Sequence, residues 1–269
     1  MPPRLNRNPR RTVTPSSCRR LVRRWTTALS GSRRKFCKES IRSRPLLGRT
    51  ENPKAARPFI VQQLALATYK AAEAKAKSDG PEQASAGYAE AEALLGKLDV
   101  ETTTDPETLG LWSAIHKRRA EIATRSLDEQ KQDLNEAIRA TERGLIIKRD
   151  YYNGTNLAYL LNLRASKSSG DDRIADNVIA DRVRREVVEI TARSLATLKE
   201  KSSSGEETTL RDEKYWLAAT HAESLVALGD QSGEALMQEA MKGAPAPWMA
   251  QTTQSQLDRL RQLLSTAHS

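Results

Sequence analysis

Apolar side chains recur every three or four residues along the chain from about residue 59 onward. Ile60, Leu64, Ala67 and Ala71 stand at i, i+4, i+7 and i+11, which is the spacing of one face of an α-helix. No segment shows the sustained period-two alternation of β-branched residues that a half-buried strand requires. The pattern therefore predicts an all-α protein.

Capping and turn residues divide this pattern into separate helices. Asp105 precedes Pro106 and Glu107, and this order of side-chain cap, proline and acidic first turn predicts a helix start. Loops rich in Ser and Gly are predicted at residues 166–172 and 202–205. Other helices are predicted over residues 152–165, about 174–199, 212–228 and 233–242. A further helix is built on apolar positions from Leu134 to Leu145, and a last one ends near Leu264.

Small residues recur where successive helices would meet. Ala84, Tyr88 and Ala91 match the Ala–aromatic–Ala series of a tetratricopeptide repeat, and a Gly-Asp turn at 229–230 joins two helices near the C-terminus. Helix pairs of this size stack side by side into a solenoid. We therefore predict a tetratricopeptide-like α-solenoid of antiparallel helix pairs over residues 57–269.

The net charge of +10 comes from the N-terminal end of the chain. Residues 1–50 hold fifteen of the 44 Lys and Arg side chains but only one acid, Glu39, so the rest carries 29 basic and 33 acidic groups. Residues 1–56 are rich in Arg, Pro and Ser without an apolar period, which predicts a disordered basic tail. We expect the body to fold without this tail, because it holds too little apolar surface to offset chain entropy.

Three interpretations of the tail stay open. An Arg-rich, acid-poor leader resembles an organelle transit peptide, a start codon assigned too far upstream would append an unselected tail, and clustered cations suit a nucleic-acid-binding arm. Nucleic acid is the least favoured, since Trp25 and Phe36 are the tail's only aromatic residues. Cys18 and Cys37 also lie there, which excludes a disulfide framework from the body. No apolar run reaches membrane-spanning length, so we expect a cytoplasmic protein, or an organellar one if the leader is a true transit peptide.

The sequence carries no recognisable catalytic or metal-binding motif. It has no Gly-rich phosphate loop, no nucleophile elbow and no paired carboxylates in a suggestive setting. His116 and His221 lack the Cys, Asp or second His that a metal site needs nearby, so we interpret them as helix-surface residues. We predict no enzyme activity, no cofactor and no metal.

The junction DYYNGTN, which begins at Asp150, is the most distinctive stretch of the chain. A few small polar residues would suffice to connect two helices there. Tyr152, Gly154 and Asn156 instead offer a flat ring, a position of close approach and an amide, which suit the floor of a recognition pocket. The competing interpretation is an ordinary helix start with Asn153 or Thr155 as its cap.

Three short motifs in this order resemble the signatures of the TRAFs-binding domain family. They are residues 105–111 (DPETLGL) with 115–118 (IHKR) after them, residues 150–156, and residues 214–220 (KYWLAAT). The resemblance covers roughly residues 84–264. It implies a tetratricopeptide-like domain, since the family is named after the TRAF-binding region of apoptosis-signal-regulating MAP kinase kinase kinases. Similar bacterial domains accompany signalling and defence proteins and have been proposed to sense nucleotide-derived signals.

Two functions are consistent with these observations. The first is a non-catalytic interaction domain that binds a segment of a signalling protein in its concave face. The second is a sensor whose pocket for a small anionic, nucleotide-like ligand is formed by Thr108, Lys117, Arg118, Tyr152, Asn156 and Trp216. In that case Lys117 and Arg118 would bind the anion, although a basic run is more often solvated surface. An interaction domain would spread these polar groups along a groove, whereas a sensor would gather them.

Overall fold

The computed structural model describes residues 58–201 and 207–267. Within these residues it contains no strand and nine α-helices, α1 Pro58–Asp79, α2 Ser85–Leu95, α3 Pro106–Ala120, α4 Leu127–Ile147, α5 Tyr151–Ala165, α6 Gly170–Lys201, α7 Glu207–Ala227, α8 Ser232–Lys242 and α9 Pro247–Ala267. Short 3₁₀ turns, Pro81–Ala84 and Gly96–Leu98, flank α2. The prediction of an all-α protein is confirmed. The predicted tail, residues 1–56, and the predicted loop at 202–205 lie outside the described residues.

Consecutive helices pack as pairs, and each pair packs on its neighbours. The pairs are α1 with α2, α3 with α4, α5 with α6, and α7 with α8. The second helix of each of the first three pairs also contacts the first helix of the next, and α9 packs against α5 and α7. Nearest-neighbour packing of this kind defines an α-solenoid, as predicted.

The apolar core is divided into clusters that follow one another along the array. One cluster surrounds Ile115 between α1, α2 and α3, and the next surrounds Leu161 and Val187 between α4, α5 and α6. Two smaller clusters surround Met249 and Met237 on α7, α8 and α9. Burying a side chain such as Leu161, which is 1% exposed, stabilises the fold by about 1.5–3 kcal/mol. Each of the two larger clusters therefore joins the two helices of one pair to a helix of the neighbouring pair.

Side-chain caps set the starts of the central helices. Asp105 accepts a hydrogen bond from the backbone N–H of Thr108, and Ser126 forms a reciprocal capping box with Glu129. Asp150 begins α5 in the same way, by accepting from the N–H of Asn153. The proposed caps at Asn153 or Thr155 are therefore wrong, because the helix already includes both residues and the preceding acid caps it.

The boundaries differ from the prediction at the start of α6. This helix begins at Gly170, so the predicted loop ends three residues early and Asp171 and Asp172 form the acidic first turn. Acidic side chains are favourable there because they oppose the positive end of the helix dipole. The acids that suggested a polar loop are thus part of a helix start.

The buried face of α1 is rotated from the predicted one. Ile60, Ala67 and Ala71 are only partly buried, whereas the adjacent positions Val61 and Ala72 are 2% and 4% exposed. A helix rich in Ala has apolar residues on several sides, so the spacing alone does not select the face. Only Leu64, of the four predicted positions, lies in the core.

Within the described ranges, no helix is both long and apolar enough to cross a membrane.

Candidate functional site

A cavity of about 190 Å³ opens where α1, α3 and α5 meet near α4. Four residues singled out from the sequence line it, namely Lys117, Arg118, Tyr152 and Asn156. Lys117 and Arg118 come from α3, and Tyr152 and Asn156 come from the first two turns of α5. The packing of α4 against both α3 and α5 thus brings two distant polar segments to one cavity.

The Arg118 guanidinium is held by two carboxylates. Its Nε donates to Glu73 Oε1 at 3.0 Å, and its Nη1 donates to Glu121 Oε2 at 2.8 Å. Burial lowers the pKa of Arg118, but Glu121, Tyr69 and Glu73 outweigh this effect and the net shift is upward. Glu73 accepts further hydrogen bonds from the Tyr69 hydroxyl at 2.9 Å and from Lys70 at 2.6 Å. Arg118 is therefore permanently charged, and its orientation is set by α1 and by the end of α3.

Lys117 lines the same cavity in a different electrostatic setting. Its Nζ lies 3.9 Å from the centre of the Tyr159 ring, which is a cation–π contact. Among the described residues, no carboxylate lies within ion-pair distance of this amine. Burial is the largest effect and lowers the pKa of Lys117 to about 8, although Glu121 and Glu223 act in the opposite direction. At neutral pH the cavity thus contains a partly desolvated cation without a direct counter-ion.

The α5 side of the cavity supplies an aromatic ring and an amide. The Tyr152 side chain is 62% exposed at the cavity mouth. Asn156 donates from Nδ2 to the Tyr152 carbonyl at 2.8 Å, and this hydrogen bond does not use its side-chain oxygen. Asn153 also lines the cavity, but its amide donates to the carbonyls of Gly144 and Lys148 at the end of α4. Asn153 therefore joins α4 to α5, and Asn156 is the amide available to a ligand.

Gly154 does not form the cavity floor, contrary to the sequence interpretation. A Cβ built on Gly154 would lie well under 3.0 Å from the Val187 side chain, on the opposite side of α5. The glycine therefore permits close packing of α5 on α6. The cavity wall is formed partly by Ser113 and Thr141, whose hydroxyls lie 2.7 Å apart.

Thr108 and Trp216 lie outside this cavity. The Thr108 hydroxyl donates to Asp105 at 2.7 Å and accepts from Gln62 at 2.9 Å, and the residue is 1% exposed. Trp216 is on α7, where its ring lies 5.0 Å from that of Tyr215 and 6.1 Å from that of Trp248. The structure therefore gathers four of the six candidate residues and separates the other two.

His116 is buried, so its interpretation as a helix-surface residue is wrong. It is 3% exposed, and its Nδ1 lies 2.7 Å from Asp133 Oδ1 on α4. Arg119 Nε and Arg125 Nη2 lie 3.1 and 2.9 Å from the same carboxylate. Lys117 and Arg118 face the cavity, whereas His116 and Arg119 face this buried network, because helix residues three or four positions apart share a face. In the described part of the chain, no group of three or more His, Cys, Asp or Glu residues is arranged to hold a metal ion.

Sequence reasoning missed Tyr69, Glu73 and Tyr159, which position the two cations. Tyr69 lies on α1, at the edge of the cavity, and Tyr159 lies under Lys117. An aromatic residue in the otherwise Ala-rich α1 is a weak signal for Tyr69. The contact between Lys117 and Tyr159 joins residues of different helix pairs, so no local pattern predicts it.

A family model described as Tetratricopeptide Repeats-Sensor matches residues 39–161. No curated protein and no solved structure matches the chain. The cavity is lined by residues between Tyr69 and Leu160, so it lies entirely within the matched range. Trp216 lies outside that range. The match supports a tetratricopeptide-like domain of the sensor type.

Proposed function

We propose that this protein is a sensor domain that binds a small anionic ligand in the cavity between α3 and α5. Lys117 and Arg118 bind the anion, Tyr152 stacks on a flat part of the ligand, and Asn156 provides a hydrogen-bonding amide. Arg118 is suited to this role because its planar fork matches carboxylate and phosphate oxygens. A nucleotide-like ligand has the required charge and a flat ring.

The observation that supports this function is the convergence of residues from two separate segments on one cavity. Lys117 and Asn156 are 39 positions apart in the chain, yet they line the same space of about 190 Å³. A surface that binds an extended peptide would distribute such groups along several helix pairs. Gathered polar groups in a concave site are typical of small-molecule binding. The family match over the cavity-forming helices supports the same interpretation.

Calorimetric titration with inorganic phosphate and with adenosine diphosphate tests this function. We expect Lys117→Met to weaken binding by about tenfold or more, which corresponds to roughly 1.4 kcal/mol, because it removes the cation and retains the shape of the stem. The matched control is Lys97→Met, at an exposed position in the turn after α2. Lack of binding by the unaltered protein, or equal losses in the two variants, would contradict the proposed site.

Arg118→Glu is a poor test of the same idea, although it reverses the charge. The new carboxylate would face Glu73 and Glu121, which now hold the guanidinium. Like charges at these distances would destabilise the contact between α1 and α3, so lost binding would not identify the cause. Asn156→Asp is the better charge-adding variant, because the Asn156 amide donates to the Tyr152 carbonyl within α5 and, among the described residues, links no other helix. We expect it to weaken binding through repulsion.

A second candidate function is binding of a signalling protein, as in the TRAFs-binding type of domain. Its support is the aromatic group formed by Tyr215, Trp216 and Trp248, in which Trp248 is 48% exposed. Tyr and Trp are enriched at energetically dominant interface positions. Tetratricopeptide-type domains are generally non-catalytic, and we propose that neither function includes catalysis. Capture of a protein partner that is lost on Trp248→Ala would favour this alternative.

A further inference from the structure

Lys117 has two features that distinguish it from an ordinary anion-binding lysine. Lys117 lines the cavity, and its partly buried amine lies over the ring of Tyr159, the residue next to the cavity-lining Leu160, at 3.9 Å. The next residue, Arg118, is a second cation that lines the same cavity. Desolvation and a neighbouring cation are the two conditions that make a lysine amine nucleophilic at near-neutral pH.

The charged groups around this amine act in both directions. Burial has the largest effect and lowers the pKa of Lys117, Arg118 and Arg259 act in the same direction, and the net result is a pKa of about 8. Glu121 and Glu223 act the other way, but neither lies within ion-pair distance of Nζ. Glu121 is occupied by Arg118 at 2.8 Å, and Glu223 accepts from Gln256 at 2.9 Å. Near pH 8 the neutral amine is therefore far more populated at Lys117 than at an ordinary lysine, whose pKa is about 10.4.

We propose that Lys117 forms an imine with ligands that carry an aldehyde together with an anionic group. The neutral amine adds to the carbonyl carbon, and the resulting carbinolamine loses water. The two amine hydrogens leave with the carbonyl oxygen, so the reaction forms one C=N bond, releases one water and needs no oxidant or reductant.

The cavity also provides a group that binds the anionic part of such a ligand. Arg118 binds the anionic group, and this places the carbonyl of a small ligand beside the adjacent amine of Lys117. A sugar phosphate in its open-chain form, or another phosphorylated aldehyde, has this combination of groups. The inference rests on the proposed anion-binding function and specifies the ligand class for the same site.

Reductive trapping with pyridoxal 5′-phosphate tests the inference on the full-length protein. The aldehyde reacts with the amine, and borohydride reduces the imine to a stable secondary amine that peptide mass spectrometry can locate. We expect the Lys117 peptide to be labelled at aldehyde concentrations about tenfold lower than peptides with exposed lysines such as Lys97, because protonation protects ordinary lysines at pH 7.5. Pyridoxal without the phosphate should label Lys117 less, since it lacks the group that Arg118 binds.

Two control variants separate the chemistry from general reactivity. Lys117→Arg keeps a cation but has no amine that can form an imine, so the preferential label should disappear. Lys97→Arg should leave it in place. Labelling of Lys117 and Lys97 at equal concentrations would overturn the inference, as would an unlabelled Lys117 peptide.

Phosphate binding, measured separately by calorimetry, distinguishes this inference from the proposed function. A protein that binds phosphate but gives no Lys117 adduct refutes the imine and leaves the anion site intact. A protein that is labelled preferentially at Lys117 but binds no phosphate refutes the anion site. In that case the phosphate of the probe should also make no difference to labelling.

Discussion

Gly154 provides a quantitative test of the contact between α5 and α6. A Cβ at this position would approach Val187 Cγ2 to well under 3.0 Å, whereas a Cβ at Gly110 on α3 would meet nothing within 4 Å. Ala is a better helix former than Gly by about 1 kcal/mol, and this gain applies to both positions. The two glycines therefore differ only in the space around them.

The expected magnitudes follow from this difference. Val187 is 0% exposed and β-branched, so it has few rotamers by which to avoid a new methyl group. Overpacking of a core usually costs about 1–3 kcal/mol. Gly110→Ala should raise the free energy of unfolding by up to about 1 kcal/mol. The free energy of unfolding of Gly154→Ala should be about 1–3 kcal/mol lower than that of Gly110→Ala.

Urea denaturation followed by helical circular dichroism would measure both variants, with an unchanged urea dependence as the check that unfolding stays comparable. The double variant Gly154→Ala, Val187→Ala provides a further control. Once the Val187 methyl groups are absent, Gly154→Ala should be stabilising, because only the helix-propensity gain remains. If Gly154→Ala and Gly110→Ala were equally stabilising in the unaltered background, α5 and α6 would not approach as closely as the structure has them.

Three further predictions concern buried residues. Lys117→Met should raise the melting temperature at pH 7, because the buried lysine cation destabilises the folded protein. This gain should fade between pH 8 and 10.5, since above the usual lysine pKa of 10.5 the amine is neutral in both the folded and the unfolded protein. A gain that stays constant with pH would contradict the lowered pKa. Asp133→Leu should reduce the free energy of unfolding by about 3–5 kcal/mol, because it leaves Arg119 and Arg125 without their buried partner. As a control, Asp128→Asn on the exposed first turn of α4 should leave the free energy of unfolding nearly unchanged in the same urea titration. Leu161→Ala should cost about 2–5 kcal/mol by the same measurement, and a loss below 1 kcal/mol would show that α5 is not central to its cluster.

The helices were predictable because local signals mark them. The Asp105 cap and the proline after it define the start of α3 within the sequence itself, and the structure has the helix begin there. The buried face of α1 was not predictable, because Ala-rich helices are apolar on several sides. Likewise, the sequence shows that Lys117 and Arg118 are neighbours, but it does not predict which residues they contact. Their partners, Tyr159 and Glu73, belong to other helix pairs.

The histidine at 116 illustrates the same limit. Its sequence neighbours are basic, which suggests exposure, yet Asp133 on the next helix compensates for its burial. The structure also assigns Gly154 to helix packing, although its position in a distinctive junction suggested a ligand contact. In both cases the deciding partner is more than fifteen residues away, on the paired helix.

The two carboxylates that bind Arg118 affect how strongly this cavity can bind an anion. Because Glu73 and Glu121 already accept from Nε and Nη1 of the guanidinium, an incoming anion meets a cation whose charge is partly compensated and competes with these carboxylates for it. The carboxylates reduce the net attraction of Arg118 for anions, so weakly charged compounds should bind poorly even when they are small enough to enter. An anion that displaces Glu73 also removes a link between α1 and α3, so the occupied cavity and the spacing of the first two helix pairs are energetically coupled.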